Sequence, residues 1–201
     1  MFPFFESIAI LDGNTRNLFY HQERVNRTFK KFYPQSEPHH LEYLLHKTSL
    51  INAPIVKIKF SYREDGYKIH QLPYSARIFK RFYLVTDNQI EYAYKYTDRK
   101  FLERHTGKLT PDEQILLIRD GLITDSSFSN VILYDGFRWL TPAKPLLKGT
   151  MRASLIADWK IHEEELKPGQ LHLFRRFKLI NALLTMEESP EYPIDLIQTS
   201  Q

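Results

Sequence analysis

Residues 120–136 read DGLITDSSFSNVILYDG. An apolar run, QILLI (114–118), leads into this stretch, and a second, VILY (131–134), leads out of it. Asp-Gly stands at 120–121 and again at 135–136, and glycine tolerates the positive φ that tight hairpins need. The pattern predicts a meander in which FRWLT (137–141) is the last partner. Asp125-Ser126-Ser127-Phe128-Ser129-Asn130 lies where one hairpin passes into the next. Loops between strands are often rich in Ser, Asn and Asp, because these side chains bond locally to the backbone. Alone, the cluster fits such a loop.

Working outward, GTMRASLIADW (149–159) reads as a helix with Gly149 and Thr150 at its start. Upstream, 4–11 reads as a strand, Asp12-Gly13-Asn14 as a turn, and 21–32 as a helix with Val25, Phe29 and Phe32 on one face. Residues 40–50 form a second helix. IVKIKFSY (55–62) alternates with period two and pairs with YKIHQL (67–72) across Glu64-Asp65-Gly66. Residues 78–85 and 90–96 are further strands, and DRKFLERH (98–105) is a helix with Asp98 as N-cap. Strands and helices, then a strand-rich meander, then helices: the class is α+β, in two lobes.

The chain has 201 residues, no cysteine and a net charge of +4. At this length roughly 70% of the unfolded surface can be buried, so no covalent staples are needed. The missing cysteines remove disulfides, thiolate nucleophiles and cysteine zinc sites, and are compatible with a reducing compartment. No apolar run is long enough for a membrane span, and MFPFFESIAILDG lacks the features of a signal peptide. His39-His40 and His162-Glu163 do not have metal-site spacing, so no metal is expected. FKKF (29–32), FKRF (79–82) and FRRF (174–177) mix basic and aromatic residues, as single-stranded nucleic-acid binders do. They lie far apart and each fits an amphipathic element, so no nucleic-acid partner is expected.

Two segments carry possible chemistry. In EYAYKYTD (91–98), tyrosines 92, 94 and 96 would share one strand face, leaving Lys95 on the other beside Ala93. Partial burial would lower the amine's pKa and suit Schiff-base chemistry. Alone, Lys95 is more readily a solvated lysine. Gly149-Thr150-Met151 opens a helix whose first amides could bind an anion. Alone, it is an ordinary helix start.

Taken together and in order, these stretches resemble the class IV, or fold type IV, pyridoxal-phosphate (PLP) enzymes. That family holds branched-chain and D-amino-acid aminotransferases and 4-amino-4-deoxychorismate lyases. DGLITDSSFSNVILYDG followed by LTPAKPLLKGTMRASLI is similar to its signature, which ends in T-P and L-x-G-x-x-R. FFESIAILDG is similar to its F-E-T strand, HQERVNRT to its H-x-x-R helix, YKYTDR to its lysine motif, and NALL (181–184) to a late motif of the lyases. The resemblance implies a small α/β lobe (1–83) and a larger barrel-like lobe (84–201) carrying the PLP lysine, with PLP in the cleft between them. It implies that Lys95 forms the Schiff base and that Asp125 pairs with the pyridine nitrogen. Arg24 and the amides of Thr150 and Met151 would hold the phosphate, Asn130 would order the loop, and Arg99 would face the ring's phenolate oxygen. A cytoplasmic homodimer acting on a small-molecule amine is implied too.

The chain departs from the family's pattern in four places. Asp125 stands where the family has Glu, and Met151 where Thr is frequent, so one hydroxyl to the phosphate is lost. The chain begins near the F-E-T strand, without the opening hairpin and the D-R-G…Y-G-D-G segment that help shape the substrate pocket. The path from NALL to its proline is longer than in the lyases. NAL and Arg99 favour a lyase releasing pyruvate to give 4-aminobenzoate, a step of folate biosynthesis. The alternatives are a branched-chain or D-amino-acid aminotransferase and, outside the enzymes, a non-catalytic basic binding protein.

Overall fold

Alternation with period two organises the first part of the chain. In the computed structural model, which describes residues 1–199, β1 (Phe4–Leu11) pairs antiparallel with β2 (Asn14–Thr15) across a two-residue turn. Asp12 and Gly13 both have positive φ there, at 48° and 78°, as such a turn requires. Helices α1 (Leu18–Phe32) and α2 (Leu41–His46) follow, then β3 (Ile55–Arg63) and β4 (Gly66–Pro73). The sheet order is β2-β1-β3-β4. Phe4, Ile8 and Ile10 of β1 and Val56, Ile58, Phe60 and Tyr62 of β3 share one face and pack against Val25, Phe29, Leu41 and Leu45 of the helices. Each such side chain, fully buried, contributes about 1.5–3 kcal/mol. The second helix stops at His46, short of the expected residue 50, where the Thr48 amide closes a turn on the Leu45 carbonyl.

The second part holds β5 (Arg81–Thr86), α3 (Lys100–Thr106), β6 (Glu113–Arg119), β7 (Leu122–Ser126), β8 (Asn130–Tyr134), β9 (Trp139–Pro142) and α4 (Thr150–Ala157). After these come the short β10 (His162–Glu164), β11 (Arg176–Ile180), β12 (Tyr192–Pro193) and β13 (Ile197–Thr199). The main sheet runs β10-β9-β8-β7-β6-β5-β13, and β11 pairs along all of β8. Phe82, Leu116, Val131, Leu133 and Phe177 are fully buried at its centre. The fold is α+β, and no helix among the described residues is long and apolar enough to cross a membrane.

Two sequence expectations shift in the meander and before it. The turn at Asp120-Gly121 is the tight hairpin expected, with φ of 51° and 76°. The turn at Asp135-Gly136 is wider: Tyr134 pairs with Trp139, so β9 starts at 139 and not at 137. The Asp135 carboxylate accepts the amides of Phe137 (2.8 Å) and Arg138 (2.9 Å), which keeps both out of the ladder. Residues 90–96 do not form the expected strand. They make only a bridge between Tyr96 and Phe4, beside backbone bonds from Phe5 N to Lys95 O (3.1 Å) and from Thr97 N to Pro3 O (2.8 Å). The three tyrosines do not share a face. Tyr94 and Tyr96 pack on Phe32 and Phe4, whereas Tyr92 packs on Phe101.

Contacts divide the chain into two compact units, residues 1–75 with 94–98, and 76–93 with Arg99 onward. The sequence boundary after residue 83 falls inside β5, which belongs whole to the second unit. Lys95 belongs to the first unit, not to the larger one.

Candidate active site

In the first unit a carboxylate interrupts an apolar strand face. Glu6 lies between Phe4 and Ile8 and is fully buried, as is His21 on α1; Arg24, one helical turn on, is 4% exposed. Arg24 grips Glu6 bidentately, Nε to Oε1 at 2.8 Å and Nη2 to Oε2. His21 Nδ1 meets Oε2 at 2.6 Å. Burial alone would raise the Glu6 carboxyl, but the Arg24 charge and the bonds from His21 and Arg24 hold it down to about 2. Burial lowers the His21 pKa, more than Glu6 raises it; Arg24 and Lys95 push the same way as burial. The ring is therefore neutral and donates Nδ1–H to Glu6. Lys95 is half-buried, with Nζ 4.7 Å from the centre of the Phe5 ring. Arg24 and Lys95, two of the expected site residues, thus stand in one unit with His21 sensing both.

In the second unit the polar loop is a wired structure. Asp125 is 5% exposed. Its Oδ1 accepts Asn130 Nδ2 at 2.6 Å and its Oδ2 accepts the Leu147 amide at 2.9 Å. Asn130 Nδ2 also donates to the Leu147 carbonyl at 2.9 Å. Burial pushes the Asp125 carboxyl up to about 6, although the Leu147 and Leu146 amides and Asn130 pull the other way. Ser126 Oγ accepts the Ser129 amide (3.0 Å), and Asn181 Nδ2 donates to Ser129 Oγ (2.8 Å), which ties the NALL segment to the loop. Arg99 donates to the Ser127 carbonyl, and its guanidinium lies 5.8 Å from the Tyr92 ring.

The loop reaches the start of α4 through Gly149. A Cβ at this position would overlap Asn130 Oδ1, so glycine is required here by close approach, its φ of −68° being ordinary. Thr150 is buried. The Met151 side chain packs with Ile132, Leu155, Ile161 and Ile180 in a core cluster, so of this residue only the backbone faces the role expected of it. Asp125, Asn130, Gly149 and the first turn of α4 are thereby one assembly, with Arg99 attached to the same loop.

Glu6 and His21 are absent from the set read from the sequence. The signal was present: one charge inside an alternating apolar strand, and His21, Arg24 and Thr28 at helical spacing on the buried side of α1.

Comparisons with known proteins bear on the family and the fold. The family model for amino-transferase class IV matches residues 92–187. An uncharacterised protein of Haemophilus influenzae is 30% identical over 185 residues, 91% of this chain and 98% of its own. The crystal structure of a protein from Haemophilus somnus 129pt, provisionally named a 4-amino-4-deoxychorismate lyase, superposes with a TM-score of 0.85 at 32% identity, covering 92% of this chain and 98% of that one. The 4-amino-4-deoxychorismate lyase of Pseudomonas aeruginosa shares the fold, with a TM-score of 0.71 at 14% identity over 98% of this chain and 82% of its own.

Proposed function

Because this chain belongs to the class IV amino-transferase family and is an enzyme of that PLP-dependent family, we propose that it is a lyase acting on 4-amino-4-deoxychorismate. The observation that carries the reading is the likeness to the Haemophilus somnus protein along nearly the whole of both chains. The donor set fits PLP in kind: an amine for its aldehyde carbon, a buried carboxylate for its ring nitrogen, and an arginine with helix-start amides for its phosphate. When bound, PLP supplies an electron sink for the carbon that loses a proton. Lys95 would hold the cofactor through its amine and, freed by the substrate amine, would take the proton from the amine-bearing carbon. Loss of that proton and cleavage of the adjacent C–O bond would leave the ring as 4-aminobenzoate, and the proton would pass to the departing enolpyruvate to give pyruvate.

Asp125 keeps the ring nitrogen protonated, and Asn130 with the Leu147 amide fixes the angle at which its shorter side chain is presented. Arg24, set by Glu6, and the amides of Thr150 and Met151 hold the phosphate. Arg99, tethered to Ser127, faces the phenolate oxygen. We take the working form to be a cytoplasmic homodimer.

A second reading, a branched-chain or D-amino-acid aminotransferase, is favoured by the family model itself. One assay separates the two. The lyase forms 4-aminobenzoate and pyruvate without an acceptor, whereas an aminotransferase needs 2-oxoglutarate. Strict dependence on the acceptor would overturn the first reading. Borohydride reduction of the PLP-loaded protein should leave a pyridoxyl group on the Lys95 peptide, and labelling at another lysine would refute the assignment.

A further inference from the structure

One buried polar side chain of the second unit is not among the residues that the proposed function uses. Gln114 stands at the head of the apolar run of β6 and is buried with it. The strand register explains what it meets. Leu116 is opposite Ser126, the last residue of β7, so β6 runs on past the end of its partner and Gln114 lies in that overhang. There it faces the polar loop. Its Oε1 accepts the Ser127 hydroxyl at 2.7 Å and the amide of the next residue, Ile115, at 2.9 Å. The second bond folds the side chain back onto its own backbone and so fixes where the acceptor stands. One amide oxygen thus takes two donors at a place where burial penalises an unmade bond.

The loop depends on this contact at one point. Ser126 and Ser129 are laced to each other: the Ser126 amide donates to the Ser129 carbonyl at 2.8 Å, and Ser126 Oγ accepts the Ser129 amide at 3.0 Å. Between them, Ser127 makes no backbone–backbone bond among the described residues, and its hydroxyl is held by Gln114. The Ser127 carbonyl in turn carries Arg99. Arg99 stands at the N-cap of α3, but its side chain does not cap that helix. Its contact with the Tyr92 ring, at 5.8 Å from the ring centre, is loose. Its Nε is buried and has no acceptor among the described residues, so the guanidinium keeps a donor for an acceptor that arrives with a ligand. The bond to Ser127 is therefore what aims it. We propose that Gln114 is a positioning residue of this enzyme: acting through Ser127, it holds the Arg99 guanidinium where that group meets the cofactor's phenolate oxygen. The inference rests on the assignment of Arg99 to that oxygen under the proposed function.

The test uses the full chain with two readouts. The first is the rate at which phenylglyoxal, an arginine reagent, modifies Arg99, followed by mass spectrometry of its peptide, with the exposed Arg138 as reference. Gln114→Met keeps the side-chain length and removes the acceptor; it should speed modification of Arg99 about tenfold relative to Arg138, the worth of one hydrogen bond. Ser127→Ala cuts the same link from the loop side, and reads it should Gln114→Met not fold. It should have the same effect, and the double variant should do no more than either single one. Gln114→Glu retains an oxygen acceptor and should stay within about twofold of the parent. The second readout is the pH titration of the visible absorbance of the PLP-loaded protein. A cation beside the phenolate oxygen favours the deprotonated form, so Gln114→Met and Arg99→Met should each raise the midpoint, by about one unit. Unchanged Arg99 rates in Gln114→Met and Ser127→Ala overturn the inference, as does a Gln114→Glu protein that behaves like Gln114→Met. A midpoint that Arg99→Met moves and Gln114→Met does not also overturns it. A midpoint that Arg99→Met itself leaves in place defeats the assignment of Arg99, while the modification rates still report on Gln114.

Discussion

The two units each bury a carboxylate, and they treat it in opposite ways. Glu6 is sealed in the first unit with a guanidinium on both oxygens, and its carboxyl falls to about 2. Asp125 is sealed in the second unit among amides and an Asn side chain, and its carboxyl rises to about 6. Burial is nearly equal and disfavours the charge in both. The difference is a full positive charge at hydrogen-bond distance, which neutral donors do not replace. The acid of the first unit is therefore held by ion pairing. The acid of the second is held by neutral donors, a backbone amide and an Asn side chain, and is left short of a positive partner. A pyridinium nitrogen would supply that partner.

The largest expected effect breaks the first arrangement. Arg24→Ala leaves Glu6 buried and uncompensated, and should cost about 3–5 kcal/mol in urea unfolding at pH 7. It should also weaken PLP binding by about 2–3 kcal/mol in an absorbance titration. Asp125→Asn, by contrast, should change unfolding free energy by no more than about 1 kcal/mol, because it removes a buried charge while it forfeits one acceptor. Its turnover should nevertheless fall by about three orders of magnitude. Equal losses of stability in the two variants would erase the distinction between the units.

Acid should sharpen it. The folded pKa of Glu6 lies below its ordinary 4.5, so its contribution is complete above pH 4.5 and is lost as pH falls towards 2. The folded pKa of Asp125 lies above its ordinary 3.8, so the fold carries its penalty above about pH 6 and is relieved as pH falls to 3.8. Each shift corresponds to about 3 kcal/mol, with opposite sign and in separate windows. Between pH 7 and 4.5, Asp125→Asn should flatten the parent's gain in stability. If Asp125 is the partner of the ring nitrogen, as proposed, PLP affinity should fall below about pH 6 in the parent, as that carboxylate is protonated.

Much of this was legible in the sequence, and the exceptions share a cause. The α+β class, the Asp120-Gly121 hairpin and the start of α4 follow from local periodicity and from residues that demand particular φ, which are properties of a short window. Residues 90–96 looked like a strand because Tyr alternates there, but alternation does not say whether an edge is available. Only a short stretch of β1 takes that segment, so it bridges and bends. The placement of Lys95 in the first unit follows from those two backbone bonds, which no window contains. Glu6 was in view as part of a strand motif, yet its partners sit fifteen and eighteen residues away on α1. The resemblance to the family put Asp125 and Asn130 in one site, and the structure bonds them to each other and to residue 147.

Close packing in the second unit should break more gently. Gly149→Ala pushes a methyl group into Asn130 Oδ1, so the Asn130 side chain must leave Asp125 or α4 must shift. A loss of about 1–3 kcal/mol is expected. Asn130→Ala in the same chain should recover part of it, since the methyl then has space. The signature of the clash is this non-additivity in a double-mutant cycle of thermal unfolding. Strictly additive losses would mean that Gly149 is required for another reason.

The smallest effect concerns Met151, and it separates packing from ligand chemistry at one residue. The family's frequent Thr suggests that Met151→Thr should restore a hydroxyl for the phosphate and tighten PLP. The side chain, however, is 4% exposed and lies among Ile132, Leu155, Ile161 and Ile180, so a hydroxyl there would enter an apolar cluster. It would lose contacts and gain an unsatisfied donor unless it bonded back to its own helix, as Ser and Thr hydroxyls do. Met151→Thr should therefore lower stability by about 1–2 kcal/mol and leave PLP affinity within about twofold of the parent. The backbone amide, which is what the phosphate role requires of this residue, is unchanged by the substitution. An affinity gain of about fivefold or more, with stability intact, would show that the residue at 151 turns its side chain to the phosphate, and that packing is not what holds this end of α4.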